Sequence, residues 1–193
     1  MAGRLGALIV FPTIARFAGE HQAAADRVRR KRGPTLALVA LAMGVAIAGA
    51  DGVILLLYDP RYQSAAFMLP VLLLGVWFGT LAAFSESVLL GCDRPAPIAL
   101  ANGAKFAILA AGLPLAFPYG GLLLSLLVLA LAECGRWLVL GRALVREKLA
   151  FFGDDLALTL LLIGTAALTK LALGELGIFL DFTEWWALGS EVL

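Results

Sequence analysis

One histidine, two cysteines and a charged fraction of only 15% set the first limits on this 193-residue chain. With His21 as the single imidazole, neither a histidine-built metal site nor a Ser/His/Asp triad is expected. Cys92 and Cys134 lie far apart with no CxxC spacing, so a disulfide framework is not expected either. There is no GxxxxGK[ST] loop to cradle a nucleotide and no HExxH pair to hold a catalytic metal. No small-residue cleavage pattern follows the opening apolar run, so the start does not read as a signal peptide. The net charge is +1, which supplies no field for nucleic acid. These absences predict a protein that is not an enzyme, uses no cofactor and binds no nucleic acid.

What the chain has instead is apolar length. Hydrophobic residues make up 62% of it and its mean hydropathy is +0.95, against roughly 45–50% apolar in a soluble domain. About 20 apolar residues cross the hydrocarbon core as a helix. Five stretches qualify: Pro34 to Tyr58, Ala65 to Cys92, Pro97 to Phe117, Gly121 to Gly141 and Leu156 to Gly174. Each is apolar on all its faces, as a membrane span is and an amphipathic surface helix is not. The expected fold is therefore all-α: a polytopic transmembrane helical bundle of about five full spans plus a partial N-terminal helix.

Short connections rich in turn residues separate the spans. Asp59-Pro60-Arg61, Asp93-Arg94-Pro95 and Pro118-Tyr119-Gly120 each suit a tight reversal, so consecutive spans should run antiparallel. Basic residues crowd one set of loops: Arg16, Arg27, Arg29, Arg30, Lys31 and Arg32 before the first span, Arg94 after the second, and Arg142, Arg146 and Lys148 after the fourth. The other set has Arg61, with Arg4 at the extreme start. By the positive-inside rule the basic side is cytoplasmic and the C-terminus lies outside. The predicted organisation is a partial helix and basic cytoplasmic link over 1–33, a transmembrane bundle over 34–175 and a short external tail over 176–193. Trp185 and Trp186 in that tail suit an interfacial anchor, with a frayed tail as the alternative. Leu5 to Ala15 is about half a span, which reads as the last turns of a helix whose beginning is missing. The chain is thus expected to be a fragment of a longer transporter or a truncated gene product.

Several pieces in order carry a family resemblance. An apolar run ends Val10-Phe11-Pro12 and is followed by Ala15-Arg16 and a basic link. The next span ends Leu55-Leu56-Leu57-Tyr58-Asp59-Pro60-Arg61-Tyr62; a later one ends Leu89-Leu90-Gly91-Cys92-Asp93-Arg94-Pro95. Ala101-Asn102 near the start of the following helix and a Tyr119-Gly120-Gly121 hairpin complete the set. Over about residues 5 to 150 the chain resembles the C-terminal half of the oligosaccharide flippases of the polysaccharide biosynthesis family, within the multidrug/oligosaccharidyl-lipid/polysaccharide exporter superfamily. The resemblance implies two helical bundles around a central cavity that moves lipid-linked sugars between leaflets by alternating access. It implies a bacterial inner membrane, membrane lipid and a lipid-linked sugar as partners, and a missing N-terminal bundle or a homo-oligomer to supply the second body. It carries over no functional residue.

Six charged residues fall inside the spans. Glu86, Lys105, Glu133 and Arg136 count into the half nearer the basic loops, Asp51 and Lys170 into the other half. A charge at the bilayer centre costs about 2.5–3.5 kcal/mol on insertion scales, so such residues face a cavity or a partner. Lys105 and Arg136, with Glu86 and Glu133 beside them, are the candidate substrate-binding residues of a cavity that would take an anionic pyrophosphate lipid. The competing account is structural: Glu133 with Arg136 three residues on, and Glu86 with Lys105 at similar depth on the next span. A drug or cation antiporter using Asp51, Glu86 and Glu133, and a non-transporting membrane subunit or scaffold, are the alternative functions. The basic stretch from Arg27 to Arg32 sets topology or contacts anionic lipid. Gly75 and Gly79 form a GxxxG spacing that permits close packing of helices; Pro70 and Pro114 either kink their spans or mark ordinary breaks near helix ends.

Overall fold

The computed structural model describes residues 21–57, 63–147, 149 and 151–175, and among them every regular element is α-helical. The elements are α1 (His21–Ala48), α2 (Ala50–Leu57), α3 (Gln63–Gly91), α4 (Ala96–Arg146) and α5 (Phe152–Glu175). The half-span at Leu5 to Ala15, the hairpin at Asp59 to Arg61 and the tail with Trp185 and Trp186 lie outside the described residues.

Among the described residues, four helices are long and apolar enough to cross a membrane: Val28–Ala48 of α1, Met68–Gly91 of α3, the whole of α4, and Phe152–Gly174 of α5. As a straight rod the 51 residues of α4 would measure about 77 Å, more than twice the hydrocarbon thickness. It folds back on itself. Gly120 (φ −144°, ψ 20°) and Gly121 (φ 53°, ψ −142°) leave helical geometry, and Gly121 takes a backbone conformation that a side chain would oppose. The limbs 96–119 and 122–146 then lie antiparallel, with Lys105 opposite Glu133 and Gly112 against Val128. Among the described residues this gives five segments of spanning length. The reversal falls on Gly120-Gly121, with Pro118 still inside the first limb, because proline fixes only φ near −65° whereas the turn needs a positive φ.

The first crossing also differs from its expected start. The basic stretch 27–32 is not a link before the span but helix continuous with it. Gly49 interrupts α1 and α2 for one residue only, since Gly49 N–H still reaches Val45 O and Val53 N–H reaches Gly49 O, both at 3.0 Å. At the other end of the bundle, α3 closes with a Schellman pair: Arg94 N–H donates to Leu89 O at 3.0 Å and Asp93 N–H to Leu90 O at 3.1 Å, with Asp93 at φ 56°.

The loops sort to two ends. Arg94 after α3 pairs with Glu147 after α4 at 3.3 Å, and Arg32 near the start of the spanning part of α1 pairs with Asp155 near the start of α5. The basic residues of α1 and those flanking α4 therefore share one end, called here the basic end. Both α1 and α5 start there and run parallel, in contact at Arg32–Asp155, at Gly44 against Leu162 and Thr165, and at Asp51–Lys170. Across the bundle, α3 lies between α4 and the α1–α2 rod, and α5 packs on the outer side of α1.

The packing suits lipid as solvent. Leu38, Leu56, Phe106, Phe117, Leu131, Leu160 and Leu168 point outward and are exposed. The core is built at the basic end from Leu36, Trp77, Leu81, Phe84, Trp137, Leu140 and Leu144. Hydroxyls satisfy themselves on their own helix, as Ser85 donates to Leu81 O and Ser87 to Ala83 O. Gly75 and Gly79 both face the second limb of α4, at Ala130 and Glu133.

Gly44 marks the closest approach of α1 to α5, for a Cβ there would lie 2.9 Å from both Leu162 O and Thr165 Cβ. Gly44→Ala should therefore cost about 1–3 kcal/mol by overpacking. Gly164→Ala is the control: its Cβ would meet nothing within 4 Å, and the helix should gain up to about 1 kcal/mol from propensity. Thermal unfolding of the two variants in detergent checks this; a Gly44→Ala protein as stable as the parent would show that α1 and α5 do not pack through that glycine.

Candidate functional site

The bundle gathers Glu86, Lys105, Glu133 and Arg136 into one network. Glu86 stands on α3 near its end, Lys105 on the first limb of α4, and Glu133 and Arg136 on the second. The hairpin sets the limbs side by side, so Lys105 Nζ donates to Glu133 Oε1. Arg136 Nη2 donates to Glu86 Oε2 at 2.6 Å, and Arg136 Nη1 lies 3.6 Å from Glu133 Oε2. The pairing thus runs Lys105–Glu133–Arg136–Glu86.

Of the two expected pairs, Glu133 with Arg136 is present and Glu86 with Lys105 is corrected. Glu86 is partnered by Arg136, not by Lys105, because Lys105 sits opposite Glu133 across the hairpin. The local Glu133–Arg136 contact is the longest in the network, since the guanidinium turns toward α3. Depth in the membrane placed these four in one layer, but it says nothing about which way each helix face points.

The network is neutral overall and only half buried: 32% of the Lys105 side chain and 15% of the Arg136 side chain are exposed. Arg136 Nε and Glu133 Oε2 are buried without a hydrogen-bond partner. A partly exposed charged group does not rest against hydrocarbon, so this face of α3 and α4 suits a wet cavity or another protein surface.

Asp51 and Lys170 form a second pair, toward the far end. Asp51 is almost wholly buried, Lys170 Nζ donates to Asp51 Oδ2, and Asp51 Oδ1 has no partner.

A third site escaped the sequence reading. Arg32 is buried at the basic end with Asp155, Nη2 lying 2.6 Å from Oδ1. Trp137 Nε1 donates to Asp155 Oδ2 at 3.0 Å, and the guanidinium lies 5.0 Å from the Phe151 ring centroid and 6.0 Å from that of Phe84. The Trp137 ring stacks on Phe152 at 4.8 Å. Arg32 thereby ties α1 to α3, α4 and α5. The signal for it was Asp154-Asp155 at the head of the fifth span, at the depth of Arg29 and Arg32 on a parallel one.

Among the described residues no group of three or more His, Cys, Asp or Glu side chains is placed to hold a metal ion. Cys92, just past α3, is a free thiol held above its usual pKa by burial, with Glu147 adding to the rise and Arg94 opposing it. It is a poor nucleophile there.

The architecture defines the class: an all-α bundle of the membrane-spanning kind, with ionic networks inside its spans. No protein-family model, curated protein or solved structure matches the chain.

Proposed function

We propose that this chain is one helical body of a membrane transporter of the lipid-linked oligosaccharide flippase type. The observation that carries the reading is the half-buried network of Glu86, Lys105, Glu133 and Arg136, whose two cations keep part of their side chains exposed. A partly exposed arginine beside a lysine in a low-dielectric wall suits a pyrophosphate oxygen. The two carboxylates keep the site neutral when no anion is bound. Alternating access needs two bodies moving about one site, and five crossings supply one. The second would be another copy of the chain or a separate bundle, and the membrane would be the bacterial inner membrane with the basic end cytoplasmic.

The antiporter alternative is weakened by the pairing itself. Asp51, Glu86 and Glu133 each already have a cation against them, leaving no free carboxylate in the network to take up sodium or a proton.

The test is reconstitution with a second bundle and a fluorescent undecaprenyl-pyrophosphate sugar. Arg136→Gln should lower transport by about tenfold or more, the worth of one charge-assisted contact. Arg94→Gln, at an exposed pair outside the spans, should leave it within about twofold. A folded Arg136→Gln protein that transports at the parent rate would remove the substrate role. A complete lack of transport with either kind of second body would favour the scaffold.

A further inference from the structure

We propose that the face carrying Lys105, Glu133, Arg136 and Glu86 is where two copies of this chain meet, about a two-fold axis along the membrane normal. Of the two second bodies that the transporter reading allows, this face selects the copy; only the work done by the pair rests on that reading. Three features of the face point to it.

The first is the order of the charges. Lys105 stands on the first limb of α4, Glu133 and Arg136 on the second, and Glu86 on α3, so the row crosses the helices instead of following one. Each member touches the next: Lys105 to Glu133, Glu133 to Arg136 at 3.6 Å, and Arg136 to Glu86 at 2.6 Å. The signs read plus, minus, plus, minus. The crowding of basic residues at one set of loops gives every copy the same orientation in the membrane. Two such copies pair by rotation about the membrane normal. That rotation reverses the row, so minus, plus, minus, plus lies against the original. Lys105 then faces Glu86 of the second copy and Glu133 faces its Arg136, each pair occurring twice, as an isologous contact requires.

The second is exposure. The ends of the row, Lys105 and Glu86, are its most open members, with 32% and 23% of their side chains exposed, against 20% for Glu133 and 15% for Arg136. Charges left partly open inside a span need water or an opposite charge, and hydrocarbon supplies neither. An apolar helix laid over them would strip their water without replacing it. A second copy of the row sets an opposite charge at every position.

The third is what surrounds the row. Asn102 comes three residues before Lys105, Leu129 four before Glu133 and Leu90 four after Glu86, so each shares a helix face with its neighbour in the row. All three are exposed. The open face therefore continues about one turn beyond the charges on each of the three helical segments. Asn102 also places a carboxamide outward nearly two turns into an apolar helix, where such side chains hydrogen-bond across to a neighbouring helix.

Cysteine crosslinking of the full chain in native membranes tests the face. In a Cys92→Ala, Cys134→Ala background, Leu129→Cys sits beside the middle of the row and so beside the axis, where a residue meets its own counterpart. Oxidation with copper phenanthroline should give about tenfold more disulfide dimer than with Leu131→Cys. Leu131 is the more exposed of the two but points from the opposite side of the same helix. Charge reversal tests the order. Lys105→Glu alone and Glu86→Lys alone each set like charges together across the axis, and co-isolation of two differently tagged copies should fall about tenfold or more. Co-expressing a Lys105→Glu copy with a Glu86→Lys copy sets opposite charges together again and should recover co-isolation to within about threefold of the parent. The cysteine variants keep every charge, so they decide even where a charge variant does not fold. Equal dimer from Leu129→Cys and Leu131→Cys, or folded mixed copies that associate no better than either variant alone, would overturn the proposal. A chain that transports with a separate bundle and does not self-associate would overturn it too, leaving the transporter reading intact; a two-fold pair that moves no lipid-linked sugar would uphold the association and count against the transporter.

Discussion

Arg32→Ala should destabilise the bundle more than any other single charge removal at its basic end, by about 3–5 kcal/mol. The reason is what remains behind. Asp155 is buried, and without the guanidinium its carboxylate keeps one hydrogen bond, from Trp137, and no counter-charge. The cation–π contacts with Phe151 and Phe84 disappear as well, and the side-chain stem no longer fills the space between α1, α3 and α5. Asp155→Ala should fall in the same range, because it strands the guanidinium. The paired change Arg32→Met with Asp155→Leu removes both charges and keeps volume, and should recover most of the loss. Fluorescence-detected size exclusion after heating measures all four proteins. Two single losses that simply add in the double variant would show that the side chains act independently, contrary to the geometry.

The large features of this fold are written in runs of apolar residues. The five crossings, their antiparallel alternation and the gathering of basic loops at one end follow from length, turn residues and the positions of arginine. The pairings are not written there. Counting residues from a loop gives depth, and depth placed Glu86, Lys105, Glu133 and Arg136 in one layer correctly. The direction each side chain takes depends on how α3 and the two limbs of α4 rotate against one another, which is set by contacts such as Gly75 on Ala130 and Gly112 on Val128. The same limit hid Arg32. A run of five basic residues in six positions, Arg27 to Arg32, reads as a solvated stretch, but as a helix it turns one side chain in four inward. Arg32 is the one that faces α5, while Arg29, Arg30 and Lys31 stay exposed.

Lys170→Met should be nearly as damaging as Arg32→Ala, and its repair should be more complete. Asp51 and Lys170 lie far from the basic end, 19 residues along α1–α2 from Arg32 and 15 along α5 from Asp155, or about 20–30 Å at 1.5 Å per residue. The Asp51 side chain is 2% exposed and that of Lys170 20%, so water screens the pair little. Removing the ammonium leaves a buried carboxylate with one oxygen already unpartnered, at a depth where a lone charge costs about 2.5–3.5 kcal/mol. Asp51→Asn should cost less, since the amide keeps an acceptor toward Lys170 and the lysine, more exposed, can extend toward the surface. Combining Lys170→Met with Asp51→Asn removes both charges and should restore stability to within about 1 kcal/mol of the parent, giving a coupling energy of about 2–3 kcal/mol in the double-mutant cycle. Because Gly44 holds α1 against α5 between the two ion pairs, the loss should show as separation of α5, readable as faster proteolysis within 152–175 in the single variant and not in the double. A coupling energy near zero would mean that Asp51 and Lys170 are neighbours without being partners, and that the parallel packing of α1 and α5 rests on contacts nearer the basic end, such as Gly44 and Arg32.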